Sequence, residues 1–297
     1  MHRLRMTEAD NLRELLQALR RLAEPLARRG AILFMQVDDV HAPSYLDVRL
    51  DGFGQESEAQ RYMCRLIIRF LRGKWRYRYM RQLICEGHSY LTIDEVDFLA
   101  ASAYGRLVRQ EAAKADPHGE AFAMEHILAG VMAEHDDVHL DGLLRFRFTS
   151  WLKGLREVVQ ERVDEYLVSR EYEEFIGILR YFLETTPVSP ETLHVICVGD
   201  SVIGLDKELH LLDLTTVEMI ARESEEDELH PQDVLMSALI TRAPEKLVIH
   251  ALSAEESFVK TLLRVFGSRA TLCGDDPDCT IFTARIDNVC STFYTTL

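Results

Sequence analysis

The hydrophobic period of this chain changes at Pro187 and Pro190, and that change limits the folds open to it. Over residues 56–186 the apolar side chains recur at helical spacing almost throughout. Breaks are expected at Gly73, over 87–91, over 117–119 and over 136–142, where glycine, proline and short polar residues gather. Beyond the two prolines, short β-branched and aliphatic runs take over. Residues 193–198, 202–205 and 209–212 read as strands of a meander, 233–242 as a helix, 246–250 as a strand, 254–266 as a helix and 270–273 as a strand. Strand, helix and strand at this spacing form a βαβ crossover, which favours parallel pairing in a small sheet.

The region before residue 56 has its own pattern. Leu12, Leu15, Leu16, Leu19, Leu22 and Leu26 lie three and four apart, so residues 8–28 predict an amphipathic helix that Gly30 ends. Residues 31–37 and 45–50 then read as two strands. The expected fold is therefore α+β, with a small helix and strand lead-in (1–55), a helical region (56–187) and a C-terminal α/β unit with a small mixed sheet (188–297).

Charge follows the same division. The formal net charge is −15. Residues 186–297 hold 8 Lys and Arg against 19 Asp and Glu, whereas residues 1–185 hold 26 against 30. The last third thus repels polyanions, while local basic patches can act in the rest. One such patch runs from Arg61 to Arg81, with eight basic residues and no acid. At 100° per residue Arg61, Arg65, Arg69, Arg72 and Arg76 fall within about 80° of one another, apart from the arc of Met63, Leu66, Ile67, Phe70 and Leu71. Such a stripe can follow a phosphate backbone, with Trp75, Tyr77 and Tyr79 stacking on unpaired bases. It can equally meet a protein partner or a membrane surface, or be neutralised by acids of the same chain. The overall acidity weighs against strong polyanion binding.

Chemical signatures are sparse. The chain lacks the GxSxG, GxGxxG and GxxxxGK[ST] motifs. Asp200-Ser201 follows a strand, and His194 and His250 lie on neighbouring strands, so a hydrolase-like cluster centred on His250 and Asp200 is conceivable at the strand ends. The run His135-Asp136-Asp137-Val138-His139 offers four candidate metal ligands in five residues. Asp136, Asp137 and Asp141 also suit a loop that caps the next helix. Cys273 and Cys279 flank a Gly- and Pro-containing turn, and Cys290, His194, His210 or His250 would be needed to complete a zinc set. Six cysteines without a CxxC pair read as reduced thiols, and the run 223–228 as a solvated acidic loop. Neither a metal nor another cofactor is expected.

The apolar runs are too short for a membrane span, and Met1-His2-Arg3-Leu4-Arg5 leads into the amphipathic helix and not into an apolar leader. The expected location is the cytoplasm.

The blocks Leu140-Asp141-Gly142-Leu143-Leu144-Arg145-Phe146-Arg147-Phe148, Trp151, Val163-Asp164-Glu165-Tyr166-Leu167, Glu171-Tyr172-Glu173-Glu174-Phe175-Ile176 and Leu179-Arg180-Tyr181-Phe182 resemble, in order and spacing, the YtxC-like sporulation protein family. Residues 235–240 and 244–250, with Cys273 and Cys279, are similar to its C-terminal part, so the resemblance covers residues 138–280. It implies a connection with endospore formation and brings no catalytic residues; with no catalytic motif in the chain, the expected role is that of a non-enzymatic accessory or interaction protein. Read from the residues, these blocks are packing. Leu144, Phe148, Trp151, Leu155, Val159 and Val163 form one helical face, and Phe175, Leu179 and Phe182 another.

Overall fold

A computed structural model describes residues 2–6, 9–28, 32–38, 45–51, 56–114, 118–199, 201–214, 230–251, 253–254 and 256–273. The fold is α+β, with two small four-stranded sheets, and it divides into two compact units, residues 1–167 and 168–297. The acidic run 223–228 lies outside the described residues.

The first unit begins with a strand that periodicity does not reveal, β1 (His2–Arg5). It is followed by α1 (Ala9–Ala27), β2 (Ile32–Asp38) and β3 (Tyr45–Asp51), close to the expected bounds. Three further helices come next, α2 (Glu56–Phe70), α3 (Arg76–Gly87) and α4 (Ile93–Ala113). Then come α5 (Gly119–Glu134), β4 (Asp137–His139), α6 (Leu140–Phe146) and the long α7 (Thr149–Thr185), whose first half belongs to this unit. Strand order is β2-β3-β1-β4, with β1 antiparallel to β3 and parallel to β4. The segment His135 to His139, read as a loop or metal run, thus supplies an edge strand. Its pairing with residues 3–5 crosses more than 130 positions, which no local pattern can signal.

Period two along these strands sorts the sheet into two faces. Leu4, Leu46, Val48 and Val138 are buried in one hydrophobic cluster with Leu12, Leu15 and Leu19 of α1, Ile67 and Ile68 of α2 and Leu71 just after it. The other face carries forked ion pairs. The Arg3 guanidinium donates to Asp47 at 2.7 and 3.0 Å, and Arg5 donates to Asp137 at 2.8 and 2.6 Å, which holds the Asp137 carboxyl below its ordinary range.

Gly73 does not break the chain. Residues Leu71–Trp75 form a π turn between α2 and α3, with helical backbone at Phe70, Trp75 and Arg76, so one continuous helical rod runs from 56 to 87. The break at 88–92 is real. There Thr92 caps α4 by accepting from the Glu95 backbone N–H, while the Glu95 carboxylate accepts from Thr92. Met80, Ile84, Leu99, Ala103 and Val163 form a second cluster between α3, α4 and α7.

The second unit contains the end of α7, β5 (Ser189–Val198), β6 (Ser201–Leu205), α8 (Pro231–Arg242), β7 (Pro244–Ala251), α9 (Ser257–Phe266) and β8 (Ala270–Leu272). The sheet is mixed, in the order β6-β5-β7-β8, and β7–α9–β8 is the expected parallel crossover. Residues 209–212 form a single bridge, Leu205↔Leu211, and not the expected strand, because Leu212 turns its backbone N–H back to Gly204. A Cβ at Gly204 would lie 2.6 Å from the Cδ1 of Leu212 and 2.7 Å from that of Leu235, so a larger residue there would make both leucine side chains shift. Helix α9 starts at Ser257, three residues after the expected start.

The two packing faces of the helical region also need revision. Leu144 belongs to α6 and Trp151 onward to α7, with Phe148 at the joint, although all six residues of the first face are buried. On the second face Phe175 and Phe182 are about half exposed, whereas Ile176 and Leu183 are buried against β5, α8 and α9. The apolar positions on this part of α7 occupy more than one face, so spacing alone did not select the inner one.

Candidate functional site

The basic segment is placed by α2, the π turn and α3. Arg61, Arg65 and Arg69, four residues apart, form an exposed row on α2, and Lys74 is exposed on the π turn. Arg65 lies 3.6 Å from Glu125 of α5. The π turn changes the rotation per residue, so Arg72 and Arg76 leave the wheel phase of α2 and turn inward. Arg76 is 3% exposed, donates to Glu111 at 2.7 Å, and sits 4.8 Å from the ring centre of Tyr104. Arg72, 15% exposed, reaches the same carboxylate at 3.1 Å and Glu120 at 3.6 Å. The five arginines therefore do not make one solvent-facing stripe.

The aromatic residues divide in the same way. Trp75 is 7% exposed and packs between Tyr79, with rings 5.0 Å apart and 10° from parallel, and Trp151 of α7, at 5.9 Å. Its faces are occupied, so it is a core side chain and no platform for a base. Tyr77 packs edge-on against Tyr104.

Beside Tyr79 the structure gathers residues that the sequence reading passed over. A cleft of about 260 Å³ is lined by Trp75, Arg78 and Tyr79 of the rod, Asp141 and Arg145 of α6, and Arg156 of α7. Arg78 is held by Asn11 at 3.0 Å and Glu14 at 2.7 Å. Arg145 and Arg156 are exposed, and among the described residues neither forms an ion pair. Both lie within or beside blocks read as packing. The 78 positions separating Arg78 from Arg156 hide their convergence from any local pattern.

In the second unit the strand-end candidates are only partly assembled. Parallel register sets His194 opposite Val248 and Ile196 opposite His250, which puts both histidines on one face of the sheet. His194 Nδ1 and His250 Nε2 are 3.0 Å apart. The ring centres are 5.3 Å apart, roughly that distance plus two ring radii, so the contact is an in-line N–H···N bond between rings 18° from parallel and not a face-to-face stack. One nitrogen donates and the other accepts. Burial lowers the pKa of both, reinforced by Lys246 at His194 and by His194 at His250.

Asp200 lies outside the described residues, as do Cys279 and Cys290. Cys273 is half-buried, with its backbone N–H on the Ile249 carbonyl at 2.7 Å. His210 turns toward Asp206 of its own loop, 3.4 Å away. In the first unit Asp137 is engaged by Arg5, and His135 and His139 are exposed. Among the described residues no three His, Cys, Asp or Glu side chains gather as a metal ion would require. Burial pushes the Cys64 and Cys197 thiols up to about 12, which suits packing and not nucleophilic attack.

A pH dependence follows from the histidine pair. The folded-state pKa values lie below the ordinary value of about 6.5, so below that pH the unfolded chain takes up protons first and stability falls as pH falls. Urea unfolding followed by circular dichroism will show a lower midpoint at about pH 5.5 than at about pH 7.5, and His250→Phe will reduce the difference. An unchanged difference in the variant would assign the acid sensitivity to other groups.

A family model described as the YtxC-like family matches residues 61–271. The chain belongs to the YtxC-like family. The match starts well before residue 138, where the sequence resemblance begins, and so takes in the whole basic segment. A protein of Bacillus subtilis (strain 168) described as "Uncharacterized protein YtxC" is 25% identical over 148 residues. That alignment covers 49% of this chain and 51% of the relative, so this YtxC-like chain spans about half the length of the curated relative it matches. No solved structure matches it. Among the described residues no helix is long and apolar enough to cross a membrane.

Proposed function

We propose that this YtxC-like protein is a cytoplasmic, non-catalytic accessory protein of sporulation that works by holding an acidic protein partner. The observation that carries this reading is the row Arg61, Arg65, Arg69 and Lys74, which stays exposed after Glu111 and Glu120 have drawn Arg72 and Arg76 inward. Arg65 lies 3.6 Å from Glu125 at an exposed position, where an ion pair adds little stability, so a row facing water serves contact more readily than stability. Residues 1–167 are close to charge balance, with 24 basic and 26 acidic side chains, so the row acts without a strong repulsive background. The sporulation role comes from the family resemblance. Single-stranded nucleic acid is the weaker reading, because Trp75 is closed off in the core. A hydrolase in the second unit is weaker still, since each histidine occupies a ring nitrogen of the other.

Fluorescence anisotropy of a labelled Glu-rich peptide, with labelled single-stranded RNA and duplex DNA alongside, tests the proposal. Peptide binding will weaken with added salt and fall about tenfold in Arg65→Ala/Arg69→Ala/Lys74→Ala, without loss of thermal stability. Peptide affinity unchanged by the triple variant would remove the row from the account. RNA binding with log affinity falling linearly against log salt, and no peptide binding, would install the nucleic-acid reading instead.

A further inference from the structure

We infer that the cleft between α3, α6 and α7 is a binding site for a phosphate monoester. It shares no residue with the exposed row on α2 and the π turn. Three guanidinium groups from three helices, Arg78, Arg145 and Arg156, line one concavity of about 260 Å³. Like charges brought together at a cleft repel one another, and many arginines of this fold are closely paired, as at Arg3, Arg5, Arg76 and Arg81. Arg145 and Arg156 form no ion pair among the described residues, as is also true of Arg69, Arg109 and Arg147, but unlike those three they share a concavity with Arg78, which is braced by Asn11 and Glu14. Bracing one fork and leaving two free is the arrangement of an anion clamp.

The chemistry of the lining selects the anion. Three guanidiniums meet the carboxylate of Asp141 in the lining and that of Glu14, paired with Arg78 at 2.7 Å, which leaves an excess of one positive charge at the cleft. A phosphate monoester brings up to two negative charges and three terminal oxygens, each able to accept from a planar N–H fork. A carboxylate brings one charge and two oxygens and leaves a guanidinium unmatched. The rest of the lining is mixed, with the amides of Asn11 and Gln82 beside the buried Trp75, Leu144 and Leu152 and Tyr79 parallel to Trp75, so the ester's body meets aromatic and aliphatic surface as well as two amides. The volume lies just below the usual range for small-molecule sites, about 300–1,000 Å³, and admits one phosphoryl group with a compact body but no polymer. Two sources share this chemistry, a free small ester and a phosphorylated side chain of another protein.

The protein carries its own reporter. Both of its tryptophans are at the site, Trp75 in the lining and Trp151 stacked behind it. Titrating the full chain with phenyl phosphate while following tryptophan emission will give a saturable change that inorganic phosphate competes away. Arg145→Ala/Arg156→Ala, at two exposed positions, will keep its melting temperature and bind about a hundredfold more weakly. Arg145→Lys/Arg156→Lys will recover only part of the loss, because an ammonium keeps the charge and loses the fork. Benzoate will bind about tenfold more weakly than phenyl phosphate. A phosphoserine peptide binding more tightly than phenyl phosphate will assign the phosphoryl group to a partner chain, and the reverse order to a free ester; either supports the site. No saturable change with phenyl phosphate, equal affinity for benzoate, or full affinity in the double alanine variant would overturn it. Arg65→Ala/Arg69→Ala/Lys74→Ala will leave this titration unchanged, which separates it from the acidic-partner reading.

Discussion

Glu111→Ala will lower the unfolding free energy by about 3 kcal/mol, because it strips the shared carboxylate from two inward-turned arginines. Glu111 is the nearest acid to both Arg72, at 3.1 Å, and Arg76, at 2.7 Å. Without it, Arg76 keeps the π face of Tyr104 and little else that is anionic, in a position 3% exposed. Removing one side of a buried ion pair costs far more than the pair contributes, since the remaining charge stays desolvated. Arg76→Met will cost less, because it removes the charge together with the need for its partner, even though Glu111 keeps Arg72. Denaturant unfolding of the two variants checks the order. If Glu111→Ala is the milder change, the inward arginines are hydrated and the exposed row extends further along the rod than described.

Trp75→Ala will cost about 3–5 kcal/mol, as truncation of a large core aromatic does. The indole sits between Tyr79 and Trp151 and belongs to the same cluster as Leu71, Leu144 and Leu152. A side chain kept for stacking on a nucleic-acid base would be exposed, and its removal would leave stability nearly unchanged while abolishing binding. The two roles therefore predict opposite patterns in one thermal melt and one binding titration. A stable Trp75→Ala variant that has lost RNA binding would restore the nucleic-acid reading.

Both predictions concern a segment whose elements were legible and whose contacts were not. The helical spacing of Met63, Leu66, Ile67, Phe70 and Leu71 identifies the inner face of the rod, and all five are buried. The same wheel puts Arg72 and Arg76 in the outer arc, and there it fails. It assumes one rotation per residue, whereas the π turn alters the rotation from Leu71 to Trp75. Its second gap is the acids that meet these arginines, Glu111 and Glu120, which come from α4 and α5. For the cleft nothing in the sequence pointed to Arg78, Arg145 and Arg156 as a group, since each lies on a different helix. The histidines are the intermediate case. Their placement on adjacent strands was legible from the β-branched runs, but the in-line hydrogen bond depends on the register of β5 against β7.

What the sequence determined by itself is local. Repeating leucines set α1, an apolar run set β2, alternation set β3, and the change of period after Pro187 set the mixed sheet of the second unit, because such patterns are a property of consecutive residues. The tertiary structure decided which charges remain available. An arginine faces water or a carboxylate according to what the neighbouring helices carry, and a strand as short as β4 exists only because its partner β1, more than 130 positions away, completes its hydrogen bonds.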